Sequence, residues 1–184
     1  MRSDAQQNRE VILGVARTLF AEQGANVSLR SIAAQAGVGI ATLYRHFPAR
    51  GDLLLALGLE MSAEALAAMD RALECWDADP EAAWRGFIIE VDRTQVSAQL
   101  VSVAEADQEF AESERVAAVR AERLAQFDPL LVRAREAGLI GDIDAMRLVA
   151  GIAAATRPLP PFVEEQMPDF HEWLVEAFIR GIRP

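Results

Sequence analysis

Residues 28–47 carry the pattern that most constrains the fold of this chain. Ala33 and Gly37 stand four residues apart, between two short stretches of helical sequence. A small side chain lets two helices cross closely, and glycine adopts the left-handed backbone that a tight turn requires. The apolar residues expected to tie both helices to a third are Ile32, Val38, Leu43 and Phe47. This spacing predicts a helix-turn-helix.

The remaining sequence also predicts helices. An apolar face of a first helix is formed by Val11, Ile12, Val15, Ala16, Leu19 and Phe20. Strand signals are nearly absent, and the chain holds 34 alanines and 18 arginines, both good helix formers. We therefore predict an all-α protein of about nine helices, with an N-terminal three-helix domain at residues 1–52 and a C-terminal helical domain at residues 53–184.

Several helix ends follow from local signals. Asp79-Pro80-Glu81 predicts a helix start, with a capping side chain, proline at the first position and an acid in the first turn. Ser28 is expected to cap a short helix from Leu29 to Ala36, and Asp142 to cap a later helix. Pro129 either kinks a helix or begins a new one. The segment from Arg157 to Pro161 predicts a stiff loop.

The sequence argues against an enzyme. It has two histidines, His46 and His171, and one cysteine, Cys75, which is expected to be a small buried apolar residue. We find no zinc-ligand spacing, P-loop or nucleophile elbow, and expect neither a metal nor a cofactor. No apolar run reaches 18 residues and the N-terminus lacks a signal-peptide pattern, so a cytoplasmic protein without membrane contact is expected.

The charge is distributed unevenly. The formal net charge is −10, but residues 1–52 carry +2 and residues 53–184 carry −12. This asymmetry indicates a nucleic-acid-facing part joined to an acidic body. Hydroxyl, imidazole and guanidinium groups on the second helix of the helix-turn-helix suit phosphate contact, and arginine can bind guanine in the major groove.

The stretch from Arg9 to Leu55, about a quarter of the chain, resembles the DNA-binding domain of TetR-family transcriptional regulators. The matching residues are Ala16-Arg17-Thr18-Leu19-Phe20, Gly24, Ser28-Leu29-Arg30-Ser31-Ile32-Ala33, Ala36-Gly37-Val38-Gly39 and Thr42-Leu43-Tyr44-Arg45-His46-Phe47-Pro48. Two positions depart from the family pattern: Ala25 replaces a frequent aromatic residue, and Arg50 a frequent lysine.

The resemblance implies DNA contacts at eight residues. It implies phosphate contacts at Ser28, Thr42, Tyr44, His46 and Arg50, and base contacts at Ile40, Ala41 and Arg45. The implied partner is a double-stranded, pseudo-palindromic operator bound by a homodimer.

The resemblance also implies that the C-terminal domain binds a small, largely apolar effector that releases a repressor from DNA. Candidate pocket residues are Met61, Trp84, Phe87, Ile88, Phe110, Phe127 and Met146. The residues expected at the dimer interface, on two broad apolar helix faces, are Met146, Val149, Ala150, Ala153, Phe170, Trp173, Leu174, Ala177 and Phe178.

Alternatives remain open at this point. The chain could be an effector-independent regulator or activator, or an all-α interaction module that does not bind DNA. The pocket candidates could be ordinary core residues. The acids Glu60, Glu64, Glu90 and Glu105 could bind a cationic ligand or form a solvated surface.

Overall fold

The computed structural model describes residues 4–24, 27–94, 103–104, 107–155 and 160–184. Within these ranges all regular structure is helical, which confirms the all-α prediction. The helices are α1 (Asp4–Gln23), α2 (Leu29–Gln35), α3 (Ile40–His46), α4 (Arg50–Cys75), α5 (Pro80–Thr94), α6 (Gln108–Ala111), α7 (Glu114–Ala125), α8 (Asp128–Glu136), α9 (Ala145–Ala155), α10 (Pro161–Gln166) and α11 (Phe170–Gly181). This exceeds the predicted nine because α6 and α10 are only four and six residues long.

The chain forms two compact units. The first comprises the described residues within Met1–Met61 and Gln99–Ala117, and the second those within Ser62–Ala98 and Ala118–Pro184. The segment that carries α6 and the start of α7 therefore belongs with the helix-turn-helix, although it lies far from it in sequence.

In the first unit, α1, α2 and α3 pack as the spacing predicts. Gly37 has φ +68°, the left-handed turn expected between the two short helices. Leu43 is fully buried and Phe47 is 2% exposed. On α1 the predicted face is displaced: Val11 is 42% exposed, whereas Leu13 is buried. Leu13 therefore adds to the core-facing side of α1 a residue that the predicted helix face did not include.

The second unit has its own apolar core. Helix α9 packs against α5 and α11. Gly151 allows the close approach of α9 and α11, because a methyl group there would collide with the Phe178 ring. Helices α4 and α5 are joined by an ion pair between Arg71 and Glu90, and hydrogen bonding to Glu90 raises the pKa of the Arg71 guanidinium.

The predicted helix ends are confirmed at some positions and corrected at others. Asp79 caps α5, accepting a hydrogen bond from the Ala82 amide at 3.0 Å. Pro129 lies in the first turn of α8, so it begins a new helix and does not kink an old one. The cap of α9 is Asp144, which accepts from the Arg147 amide at 2.7 Å, not Asp142 as predicted. Both Asp142 and Asp144 have a side chain that can cap a helix, but the helix begins at Ala145, directly after Asp144.

One further prediction is wrong. Cys75 is exposed, because it ends α4 and the neighbouring Trp76 occupies the buried position. Ala25, Glu105 and most of the loop predicted between Arg157 and Pro161 lie outside the described residues. In the described part of the chain, no helix combines the length and the apolarity needed to cross a bilayer.

Candidate nucleic-acid interface

Helix α3 presents four of the predicted DNA-binding residues on one face. Ile40, Ala41, Tyr44 and Arg45 are all exposed, and they follow the i, i+1, i+4, i+5 spacing of a single helix face. Tyr44 is 48% exposed, so its ring and hydroxyl extend into solvent. The face combines a guanidinium, a phenol and two small or branched apolar groups.

Two other predicted residues flank this face. Thr42 and His46 are half-buried, and the His46 ring lies 6.4 Å from the Phe47 ring, centroid to centroid. Leu43, on the opposite side of α3, is fully buried and fixes the rotation of the helix about its axis. The structure thus brings together six predicted residues around the exposed side of one seven-residue helix.

The start of α3 has no side-chain cap. Gly39 occupies the N-cap position, and its carbonyl accepts from the Leu43 amide at 3.1 Å. The preceding turn is closed by a bond from the Val38 amide to the Ala33 carbonyl at 3.0 Å. At the other end of α3, the Arg9 guanidinium lies 5.3 Å from the centre of the Phe47 ring, a cation–π contact from α1.

Ser28 caps helix α2. Its Oγ accepts a hydrogen bond from the Ser31 amide at 3.0 Å, and the residue is exposed. A serine hydroxyl that accepts one bond can still donate another. The capping role was predicted from residue type, and the hydroxyl stays available to an acceptor such as a phosphate oxygen.

Arg50 differs from the other predicted DNA-binding residues. It is half-buried, and its guanidinium donates to the Val27 carbonyl and lies 5.4 Å from the centre of the Phe20 ring. It therefore fastens the start of α4 to the segment before α2. These contacts give Arg50 a structural role within the first unit, and its contact with a phosphate stays a prediction.

Sequence reasoning missed the contacts that fix the start of α4. Asp52 accepts from the Ala49 amide at 3.1 Å and from Arg115 at 2.9 Å. The ring of Phe110 packs on Gly51, where a Cβ would come within 2.5 Å of it. The bond between Asp52 and the Ala49 amide could have been predicted locally, because an acid at the third position of a helix often accepts from the amide just before the helix. Arg115 and Phe110 had none, because they lie about sixty positions away in the sequence.

The predicted pocket residues fall into separate groups. Trp84, Phe87 and Phe127 form one buried aromatic cluster. The centroid of the Phe87 ring lies 5.8 Å from that of Trp84 and 6.2 Å from that of Phe127. Ile88 is also buried in the second unit. Met61 is buried but belongs to the first unit, as does Phe110. Met146 is 43% exposed, so it does not join the buried cluster.

The residues predicted at the dimer interface are mostly accessible in the single chain. Trp173 is 54% exposed and stacks with Phe170 at 5.5 Å between ring centroids. Met146 and Ala150 are exposed on α9, and Ala153 is buried at 7% exposure. The half-buried members are Val149, Phe170, Leu174, Ala177 and Phe178. Helices α9 and α11 thus retain incompletely covered apolar surface.

The fold and the exposed face of α3 define the class of all-α proteins with an N-terminal helix-turn-helix. Residues 12–57 match the model of bacterial regulatory proteins of the tetR family. An HTH-type transcriptional regulator of Staphylococcus aureus (strain USA300) is 48% identical over 54 residues, and this match covers 29% of each chain.

Solved structures match over nearly the whole length. A TetR transcriptional regulator of Streptomyces coelicolor is 26% identical, with a TM-score of 0.63, covering 96% of this chain and 98% of that one. A TetR transcription regulatory protein of Mycobacterium vanbaalenii is 28% identical, with a TM-score of 0.59 and 98% of both chains covered. The helix-turn-helix segment therefore matches the TetR family of bacterial regulatory proteins, as its sequence predicted, and the whole chain has the fold of solved TetR regulators.

Proposed function

We propose that the chain is a sequence-specific DNA-binding transcriptional regulator that inserts α3 into the major groove. The exposed face of α3 is the single observation that carries this proposal. Arg45 has the planar donor set that binds guanine, and Ile40 and Ala41 suit contact with a thymine methyl group. Tyr44 and Thr42 place hydroxyl groups where phosphate oxygens would flank the helix.

The charge of the first unit supports the same proposal. The net charge of the whole chain is −10, but residues 1–52 carry +2, and Arg30 and Arg45 are both exposed. Asp52, an acid near the interface, is paired with Arg115. An acidic body limits nonspecific DNA binding, whereas the basic helix face gives local attraction to phosphates.

We further propose that two chains associate through α9 and α11. Exposed Trp173 and Met146, with the half-buried apolar residues beside them, supply the surface that a second copy would cover. A twofold dimer presents two α3 helices to two half-sites, so the operator is pseudo-palindromic.

The proposed regulator is a repressor released from DNA by a small, largely apolar effector. The aromatic cluster of Trp84, Phe87 and Phe127 supports this part, because apolar and aromatic side chains dominate small-molecule sites. Release requires that the effector bind the DNA-free form more tightly, and DNA must then weaken effector binding by the same factor.

The test is fluorescence anisotropy with labelled DNA that flanks the gene for this chain, with unlabelled random DNA as competitor. The expected affinity falls by about a hundredfold or more between about 50 and 200 mM salt, since several phosphates are neutralised. Arg45→Ala should bind weakly, whereas Arg120→Ala, which alters an exposed arginine of the second unit, should bind like the wild type. The proposal would be contradicted if unlabelled random DNA abolished the binding and selection from random DNA then enriched no sequence.

A screen for compounds that lower the anisotropy then separates an effector-released repressor from an effector-independent regulator.

A further inference from the structure

Helix α11 leaves one face uncovered in the single chain. Val175 and Ile179 are buried, whereas Trp173 and Arg180 are exposed on the opposite side of the helix. Trp173, Ala177 and Arg180 follow i, i+4, i+7 spacing, so they lie along one stripe of the helix surface. This outer stripe carries a large aromatic ring, a methyl group and a guanidinium, in that order.

The two charged residues at the ends of α11 have no ion-pair partner among the described residues. Glu172 lies in the first turn and Arg180 in the last, and both are exposed. The Arg180 Nε donates to the Glu176 backbone carbonyl at 3.3 Å, which leaves the terminal nitrogens of the guanidinium for other acceptors. By contrast, the Glu176 carboxylate already accepts from Arg85 of α5 at 2.7 Å. The helix therefore has an uncompensated acid at its start and an uncompensated base at its end.

These charges distinguish the two ways in which a twofold axis can pair α11 with its copy. A parallel pair sets Arg180 beside Arg180 and Glu172 beside Glu172, and like charges that meet at an interface are unfavourable. An antiparallel pair sets the acidic first turn of one copy against the basic last turn of the other. Since a twofold interface is self-complementary, each favourable contact is made twice. Charge therefore favours the antiparallel pair.

The smallest side chain of the outer stripe indicates where two antiparallel helices cross. The distance between helix axes depends on the side chains at the contact, and Ala177 allows the closest approach. Trp173 lies about 6 Å from Ala177 along the axis and Arg180 about 4.5 Å on the other side, at 1.5 Å per residue. A crossing at Ala177 thus brings Trp173 of one copy level, to within about 1.5 Å, with Arg180 of the other.

We propose that α11 packs antiparallel on α11 of a second copy, with Arg180 of each copy on the Trp173 ring of the other and beside its Glu172. A guanidinium is attracted to the face of an indole ring, and the nearby carboxylate balances its charge. Trp173 stacks on Phe170 of its own chain, 5.5 Å between ring centroids, and is still 54% exposed. The ring is therefore held in place and retains surface for a guanidinium.

The proposal rests on the proposed dimer through α9 and α11, and it adds the contact that selects the partner. A twofold pair of arginine–tryptophan contacts favours a second copy of this chain over a protein that offers only an apolar helix face, because such a face would leave Arg180 buried without a partner.

The test uses the symmetry of the contact. The full chain is prepared with Arg180→Gln and, separately, with Trp173→Leu, so each homodimer lacks both arginine–tryptophan contacts. A heterodimer of the two variants keeps one contact, between Arg180 of one chain and Trp173 of the other. Native mass spectrometry of the mixture gives the exchange constant, the squared heterodimer concentration divided by the product of the two homodimer concentrations. We expect it to exceed the value for random pairing about threefold or more.

The matched control mixes Trp173→Leu with Arg120→Gln, which alters an exposed arginine of α7. The two homodimers then hold none and two of the contacts and the heterodimer holds one, so the exchange constant should equal the random value. A random value for the mixture of Arg180→Gln and Trp173→Leu, or no dimer in that mixture, would overturn the proposed contact while the wild type still dimerises. A wild-type chain that is monomeric in light scattering would instead contradict the proposed dimer, and this contact with it.

Discussion

Helices α3 and α11 both bury one side, but their exposed sides differ: that of α3 combines small or branched apolar groups with a phenol and a guanidinium, whereas that of α11 carries a large aromatic ring, Trp173, between charged residues. Helix α3 buries Leu43 and exposes Tyr44 and Arg45, whereas α11 buries Val175 and Ile179 and exposes Trp173. The buried sides are similar because both helices must pack on an apolar core. The exposed sides therefore distinguish the two proposed contacts: the hydrogen-bond donors of α3 suit the proposed nucleic acid, and the aromatic ring of α11 suits the proposed second copy.

The largest expected effect comes from giving the exposed side of α11 a charge. Trp173→Glu places a carboxylate in the proposed dimer surface, where its burial would be unfavourable. We expect the dimer dissociation constant to rise about thirtyfold or more, since large aromatic anchors contribute about 2 kcal/mol or more to an interface. Light scattering over a concentration series measures the change.

A matched control is available on α8. Val132 is 47% exposed, and it lies outside the proposed dimer surface, so Val132→Glu should leave the dimer unchanged. If the Trp173→Glu chain dimerises like the wild type, the exposed side of α11 does not form the dimer interface.

The next effect concerns the exposed side of α3. Arg45→Ala should relax base preference at one operator position, at a cost of about 1–3 kcal/mol for the preferred base, because a bidentate contact with guanine is lost. Competition anisotropy with operators changed at single positions measures this preference. Unaltered preference at every position would show that Arg45 does not contact a base.

A smaller effect concerns the turn that sets α3 in place. Gly37 has φ +68°, so Gly37→Ala should lower the free energy of unfolding by about 1–2 kcal/mol through left-handed strain. Gly39→Ala is the matched control, because Gly39 has φ −67° and the nearest atom to an added Cβ is 3.9 Å away. Urea unfolding compares the two variants, and equal losses would be inconsistent with a conformational cause.

The smallest effect is expected at a phosphate contact. Tyr44→Phe removes one hydroxyl group from an exposed ring, and should weaken binding by about 0.5–1.5 kcal/mol. The loss should be similar for every DNA sequence, unlike that of Arg45→Ala. The same competition assay checks it, and a loss confined to one operator sequence would assign Tyr44 to base recognition instead.

Local signals account for the parts of the structure that sequence predicted. The Gly37 turn, the Ser28 and Asp79 caps and the buried Leu43 each depend on residues within about four positions. The exposed face of α3 followed from the same periodicity. Such features are readable because the interacting groups are close in the chain.

Contacts between distant residues could not be read in this way. The packing of Phe110 on Gly51 and the inward turn of Arg50 toward Phe20 depend on tertiary structure. Arg50 shows what the sequence left out: its guanidinium bonds the Val27 carbonyl within its own unit, and the phosphate contact implied by the resemblance stays a prediction. Likewise, the ion pair between Arg85 and Glu176 unites residues 91 positions apart.

Two copies of α3, held by a twofold dimer, are proposed to recognise DNA sequence. Selection from random double-stranded DNA with the full chain tests it most directly, because one experiment reports both sequence preference and symmetry. We expect a pseudo-palindrome whose half-sites are centred about one helical turn, or a multiple of it, apart. Failure to enrich any sequence, or enrichment of a single asymmetric half-site, would contradict the claim.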